Sequence, residues 1–280
     1  MAARAVRRKA EKKGGLADTT RFLVFLFLLA IFLRTFVVAP FMIPSGSMLP
    51  NLMIGDYLFA AKWPYGYSRY AFPFGLLHFH GRIWGGEPKR GDIVVFRYPG
   101  SDEDYVKRLI GLPGDRIQMR HGQLVLNGQP VPKVKMADWL MERTPNSPCR
   151  FVGNYSPAPV VERGHVYCRY PRYRETLPGG RSYDVLDQIE GGQGDDTEVY
   201  AVPADHYFMM GDNRDDSGDS RFPAPADALP GQSSGMGYVP MDRIEGKAVV
   251  TFFSTDGNAN WFLPWTWFTA ARWSRIGEGF

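Results

Sequence analysis

Leu124-Val125-Leu126-Asn127-Gly128-Gln129-Pro130-Val131 decides the class of fold. Short apolar runs stand on either side of an Asn-Gly pair. Both central residues of a type I′ turn take positive φ, which Asn and Gly tolerate best, so the stretch predicts a tight β-hairpin. Runs of the same kind lie to either side. Ile54-Gly55-Asp56-Tyr57-Leu58-Phe59-Ala60 reads as a strand leaving a turn. Ile93-Val94-Val95-Phe96 follows an Arg90-Gly91-Asp92 turn, and Tyr105 to Ile110 is closed by Gly111-Leu112-Pro113-Gly114-Asp115. Tyr207-Phe208-Met209-Met210 and Gly246 to Phe253 repeat the pattern further on. Apolar runs this short, bounded by Gly and Pro, are strand signals. Trp63 to Lys89, rich in aromatic residues, Gly and Pro, reads as an extended loop or hairpin.

No internal repeat is visible, and long amphipathic helices are absent outside one N-terminal segment. The expected class is therefore all-β: a mainly antiparallel core with an inserted, second β-rich lobe, behind one N-terminal transmembrane helix. The chain divides into a basic arm over 1–20, an anchor over 21–40, a core over 41–119 and 201–260, the inserted lobe over 120–200, and a Trp-rich segment over 261–280. The lobe is expected because the text from Pro132 to Glu198 turns polar, with Pro and Gly breaks.

Charge and hydropathy place the first segments. Arg4, Arg7, Arg8, Lys9, Lys12 and Lys13, set against Glu11 and Asp18, account for the whole formal net charge of +4. The remaining body is neutral, which argues against a nucleic-acid partner. Phe22 to Leu33 is continuously apolar, and the apolar text resumes at Phe36 after Arg34, a residue able to snorkel to head groups. The sum reaches the roughly 20 residues a membrane span needs. A basic arm before the span predicts a cytoplasmic N-terminus and a body on the outer face. A cleaved leader would show a similar plan, with Ala39 as the small residue before the cut. Pro40 would then follow the scissile bond, and a tertiary amide there is a poor substrate, so a retained anchor is favoured. The C-terminal Trp261-Phe262-Leu263-Pro264-Trp265-Thr266-Trp267-Phe268, with Trp273 beyond, fits head-group contact and core packing equally.

Cys149 and Cys168 flank a polar stretch. In an oxidising exterior they could close a loop of about twenty residues, worth on the order of 3 kcal/mol; in a reducing compartment both would stay free. His78 and His80 would share one face of a strand, but without neighbouring Cys or carboxylate ligands they give no zinc site. The acidic turn after Gly211 mimics a calcium loop, yet its twelfth position is Ala224 and not the bidentate Glu such loops need. No metal and no cofactor is expected.

The candidate chemistry is nucleophilic. Ser45-Gly46-Ser47 follows the apolar span within a few residues, between Phe41-Met42-Ile43-Pro44 and Met48-Leu49-Pro50. A serine hydroxyl needs a base. None of the five histidines has an obvious link to this segment. Lys107 lies amid Tyr105, Val106, Leu109 and Ile110, where burial would bring its amine down from the free value of about 10.4. On a strand, Tyr105, Lys107 and Leu109 share a face.

Four segments in order, Pro44–Pro50, Arg90–Phe96, Tyr105–Pro113 and Gly211–Arg221, are similar to those of the bacterial type I signal peptidases, membrane-bound Ser-Lys proteases that cut leader peptides from exported proteins. The resemblance implies that Ser47 is the nucleophile and Lys107 the general base. It implies an oxyanion hole made by the Ser47 N–H and the Ser45 hydroxyl, with Ser217 hydrogen-bonded to Lys107 and aiming its amine. Asp212 would pair with Arg108, and Asp219 with Arg221. Phe41, Ile43, Met48, Leu52, Tyr105 and Val106 would line shallow apolar pockets for small residues at −1 and −3 of the leader. Partners would be signal peptides of exported preproteins, the phospholipid membrane and, indirectly, the export machinery. Two points depart from or add little to the pattern: Asp216 stands where the family often has Asn, and the family varies in its number of anchors. Two other readings compete. A self-cleaving Ser-Lys protease of related fold would be soluble, which the anchor opposes. A membrane-anchored binding protein with an inactive core would lose nothing on replacement of Ser47 or Lys107.

Overall fold

The computed structural model describes residues 15–72, 79, 81–99, 101, 103–153, 155–224, 235–260 and 262–280. His78, His80 and Trp261 lie outside the described residues, as does most of the basic arm.

An α-helix, Leu16–Phe32, runs on through a π-helical turn, Leu33–Val37. Together they span 22 residues with a mean hydropathy of 2.1 and are almost wholly unburied, long and apolar enough to cross a membrane. At 1.5 Å per residue the length is about 33 Å, close to a bilayer's hydrocarbon thickness. The helical segment stops at Val37, short of the expected residue 40, because Val38–Met42 is already a strand of the core. Pro40 lacks the N–H a helix interior requires. It sits instead on an edge strand, opposite Phe59, where a missing donor is tolerated.

That edge opens a seven-stranded sheet in the order Val38–Met42, Asp56–Ala61, Ile244–Ser254, Ile93–Arg97, Asp104–Gly111, His206–Met210 and Val239–Pro240. Every pairing in it is antiparallel. The sheet is buried on both faces. One face holds Ile43, Met48, Leu52, Leu58, Ile93 and Val95; another cluster gathers Val94, Phe96, Leu109, Tyr207 and Met209. Burial of each such side chain contributes about 2 kcal/mol, so the sheet is the rigid element that carries the site.

The hairpin over Gln123–Leu126 and Gln129–Pro130 forms as its sequence predicts, with Asn127 at φ 52° and Gly128 at φ 79°. Asn127 Oδ1 accepts from the Arg116 N–H and its Nδ2 donates to Asp115, which fixes the turn to the neighbouring strand. The hairpin belongs to a four-stranded sheet with Arg116–Arg120 and Tyr200–Ala201. Its Ile117, Met119, Leu124 and Leu126 pack with Ile110, Phe208 and Met210 of the main sheet. The lobe expected to begin at 120 therefore shares a core with the body, and its seam falls inside this small sheet.

Two three-stranded sheets complete the inserted region: Lys133–Lys135 with Arg172–Thr176 and Ser182–Leu186, and Trp139–Glu142 with Pro159–Glu162 and His165–Tyr170. Cys149 and Cys168 are disulfide-bonded, with Cα atoms 5.5 Å apart. Leu49 from the segment after Ser47 packs into the same cluster as Cys168, Tyr170 and Leu186.

At the C-terminus, Arg275 is paired with the buried Asp56 at 2.7 Å and Arg272 donates to the Ile54 carbonyl. These contacts hold the backbone down while Phe262, Trp265, Phe268 and Trp273 stay exposed. Core packing of those rings, one of the two readings of the segment, is not what the fold does with them.

Candidate active site

Ser47 sits in a compact turn that follows the first edge strand. The Leu49 N–H donates to the Gly46 carbonyl and the Leu52 N–H to the Met48 carbonyl. Met48, Leu49 and Leu52 drive the turn inward and are all fully or almost fully buried. The Gly211–Arg221 segment grips it from the other side. The Asn213 N–H donates to the Ser47 carbonyl, and Asn213 Nδ2 to the Gly46 carbonyl, each at 3.0 Å. Asn213 thus holds two successive carbonyls of the serine segment, a role sequence reading did not assign. The available signal was an amide side chain beside a turn glycine, too common to be decisive. Gly211 is required by the same approach: a Cβ there would lie 2.6 Å from the Ser47 carbonyl oxygen and collide with Ser217.

Lys107 comes from the strand Asp104–Gly111, where it pairs in register with Val94 of Ile93–Arg97. Its Nζ lies 2.5 Å from Ser47 Oγ. Ser45 Oγ is 3.4 Å from Ser47 Oγ, at the long limit of a hydrogen bond. Lys107 is fully buried, and burial pushes its amine down to about 8; Asp219 works against the shift and Arg221 with it. A buried amine brought down toward neutrality and touching a hydroxyl can lose its proton near physiological pH and act as a base.

The ion pairs expected around this pair are present. Arg108 binds Asp212 through two parallel bonds of 2.7 Å, and Asn51 adds a third to the same carboxylate. Arg221 grips Asp219 in the same forked way at 2.9 Å. Burial would raise the Asp219 carboxyl, but Arg221 outweighs it and holds the group below the usual range. Arg214 binds Glu175 of the inserted region at 2.8 Å, and Tyr183 donates to the same carboxylate. Such buried pairs are weak sources of stability but strong sources of fixed geometry. They make the Gly211–Arg221 turn a rigid wall.

Ser217 differs from expectation. It is buried beside Gly211, and its Oγ has no hydrogen-bond partner among the described residues. Lys107 points at Ser47, so the expected Ser217–Lys107 bond is not made. Leu52 differs as well. A cleft of about 560 Å³ is lined by Phe41, Ile43, Met48, Tyr105 and Val106 together with Ser45, Ser47, Lys107 and Asp216. Leu52, with no exposed surface, packs behind that lining with Leu58 and Ile93. A helical-type turn places residue 52 one turn beyond Met48, on the core side.

The described histidines serve elsewhere. His121 faces Asp196, His165 faces Glu142, and His206 bonds the Ala204 carbonyl. Asp187, Asp195 and Asp215 come within 4.8 Å of one another. Lys133 is already seated on Asp187, while backbone N–H groups serve Asp195 and Asp215. Burial and the neighbouring carboxylates raise Asp195 and Asp215 above the usual range.

A family model described as signal peptidase, peptidase S26, matches residues 16–253. The chain belongs to the signal peptidase family, S26. Its curated relatives include a signal peptidase I of Rickettsia akari, 36% identical over 247 residues, covering 85% of this chain and 79% of that one. Another, from Rickettsia prowazekii, is 37% identical over 240 residues, with 82% and 78% covered. A solved signal peptidase I from Enterococcus faecalis shares 22% identity over 58% of this chain and 97% of its own, with a TM-score of 0.29. This S26 chain is therefore a peptidase, and its apolar helix is compatible with anchoring in a membrane.

Proposed function

We propose that this signal peptidase removes leader peptides from exported preproteins by a Ser47–Lys107 mechanism, cutting after small residues at −1 and −3. The observation that carries the reading is the 2.5 Å approach to Ser47 Oγ of a buried lysine amine that makes no ion pair among the described residues. Ser47 Oγ attacks the carbonyl carbon of the −1 residue while its proton passes to Lys107 Nζ. The negative oxygen so formed is met by the Ser47 N–H and the Ser45 hydroxyl, interactions worth a few kcal/mol in such sites. Collapse breaks the C–N bond, and the Lys107 ammonium returns the proton to the leaving amine. A water then attacks the Ser47 ester with Lys107 again taking the proton, which finally goes back to Ser47 Oγ.

Phe41, Ile43, Met48, Tyr105 and Val106 give the cleft apolar walls suited to small side chains. Ser217, buried next to the pair, is assigned to orient Lys107 once its amine moves during the reaction. The apolar helix and the basic arm favour an N-terminus in the cytoplasm and a body on the outer face of the bacterial inner membrane. Exposed Phe262, Trp265 and Trp273 suit the head-group region. Cleavage of a purified preprotein carrying an Ala-x-Ala site, by wild type and by Ser47→Ala in detergent or lipid, tests the assignment. Wild type should cut once, after the −1 residue, and the variant should not cut. Equal cleavage by both would discard Ser47 as the nucleophile.

A further inference from the structure

Three carboxylates bear on Lys107 from the Gly211–Arg221 turn: Asp219, Asp212 and Asp216. Each has its own guanidinium. Arg221 serves Asp219 and Arg108 serves Asp212, both from within the core and both buried. The third comes from the inserted region. Arg150 grips Asp216 through Nε and, at 2.9 Å, through Nη2, with 35% of the Arg150 side chain and 19% of the Asp216 side chain exposed. Two contacts fix where Arg150 stands. Its N–H donates at 2.9 Å to the hydroxyl of Tyr170, a ring with no exposed surface. Its neighbour Cys149 is bonded to Cys168. From there the side chain crosses directly over the serine segment, where a Cβ on Gly46 would lie 3.0 Å from Arg150 Cδ.

We infer that Arg150 is a positioning residue for the reaction proposed above: presented by the Cys149–Cys168 bond, it neutralises Asp216 and locks the 214–217 turn over Gly46, so that the inserted region completes the charge balance around Ser47 and Lys107. The inference rests on the Ser47–Lys107 reading. Arg221, Glu103 and Asp104 are the remaining charged groups near Lys107 or its cleft, and the exposed Glu103 has no ion pair among the described residues. Arg221 is held by Asp219. Glu103 and Asp104 line the same cleft, and Asp104 is paired with Arg97. Among the described residues, Asp216 is the one carboxylate paired beside the base whose partner lies outside the core strands and the turn itself. Its hydrogen bonds hold the Arg150 guanidinium above its ordinary range. Removal of Arg150 leaves a bare carboxylate that favours the Lys107 ammonium, whereas removal of the Asp216 charge leaves a bare cation that disfavours it.

The test is the dependence of kcat/KM on pH for full-length enzyme in detergent, with an Ala-x-Ala preprotein, comparing wild type, Arg150→Gln, Asp216→Asn and the double variant. Arg150→Gln should move the acid limb up by about half a pH unit, an approximately three-fold lower rate below the limb. Asp216→Asn should move it down, and the double variant should return it to the wild-type position. Reduction of the disulfide by dithiothreitol should reproduce the Arg150→Gln shift. A loss equal at every pH and unrelieved in the double variant would make Arg150 merely structural and overturn the inference, as would an unmoved limb. An unmoved limb after reduction would remove the disulfide from it. If Lys107→Met, measured alongside, cleaves as well as wild type, the Ser47–Lys107 reading itself fails, whatever Arg150 does.

Discussion

Lys62 and Lys107 are buried to the same extent, each 3% exposed, yet their surroundings assign them opposite work. Lys62 Nζ meets the Glu245 carboxylate at 3.1 Å, beneath the edge where the apolar helix joins the sheet. Lys107 Nζ meets a hydroxyl, and the carboxylates near it are already claimed by Arg108, Arg221 and Arg150. Burial penalises an ammonium that no carboxylate answers. What separates them is whether a carboxylate answers the charge. A buried lysine with a carboxylate is a structural ion pair; one facing a hydroxyl, with its acids occupied, is a base.

The sharpest way to break this contrast is to remove each amine in turn. Lys107→Met should lower preprotein cleavage about a thousand-fold with the fold intact, since general-base catalysis contributes on that order. Circular dichroism and kcat together check it, and residual activity near wild type would erase the distinction. Lys62→Met should instead act on stability. It takes one of the two cations from the buried Glu245, which keeps Arg97, and should cost about 3 kcal/mol in denaturant unfolding, while cleavage per folded molecule stays within about two-fold. The double variant Lys62→Met with Glu245→Gln should regain part of that loss, because no uncompensated charge remains. The smallest effect sharpens the contrast at the cleft. Val106→Ala should ease acceptance of a residue one methylene larger at −1 or −3 by about ten-fold, read as a ratio of kcat/KM values. Leu52→Ala, behind the lining, should lower stability by a few kcal/mol and leave that ratio alone.

What was legible in the sequence was local. The Asn127-Gly128 turn needs two residues of positive φ and received them. Lys107 lay among apolar strand residues, but that text by itself fits an exposed strand lysine, and its burial was readable only with the resemblance. Arg108 and Asp212, or Asp219 and Arg221, were readable only through the resemblance, because nothing within a strand or turn names its partner. What stayed hidden depends on where distant segments meet. Arg150 reaches Asp216 across 66 positions of chain, and Asn213 reaches Gly46 across 167. Leu52 was expected in the cleft lining through the resemblance. The turn that brings Leu52 one step past Met48 decided otherwise. The anchor's end was misplaced for a similar reason. Hydropathy continues through Phe41, but the pairing of Val38–Met42 with Asp56–Ala61 claims those residues for the sheet.

The central claim is that Lys107, unprotonated, takes the proton from Ser47. Because burial holds its amine down to about 8, the base is present above that pH and lost as pH falls through it. The rate of cleavage of one preprotein, followed from pH 5 to pH 10 with wild-type enzyme in lipid, measures this directly. The account predicts a single acid limb centred near pH 8, with about a ten-fold loss per pH unit below it. A rate that stays flat down to pH 5 would contradict it.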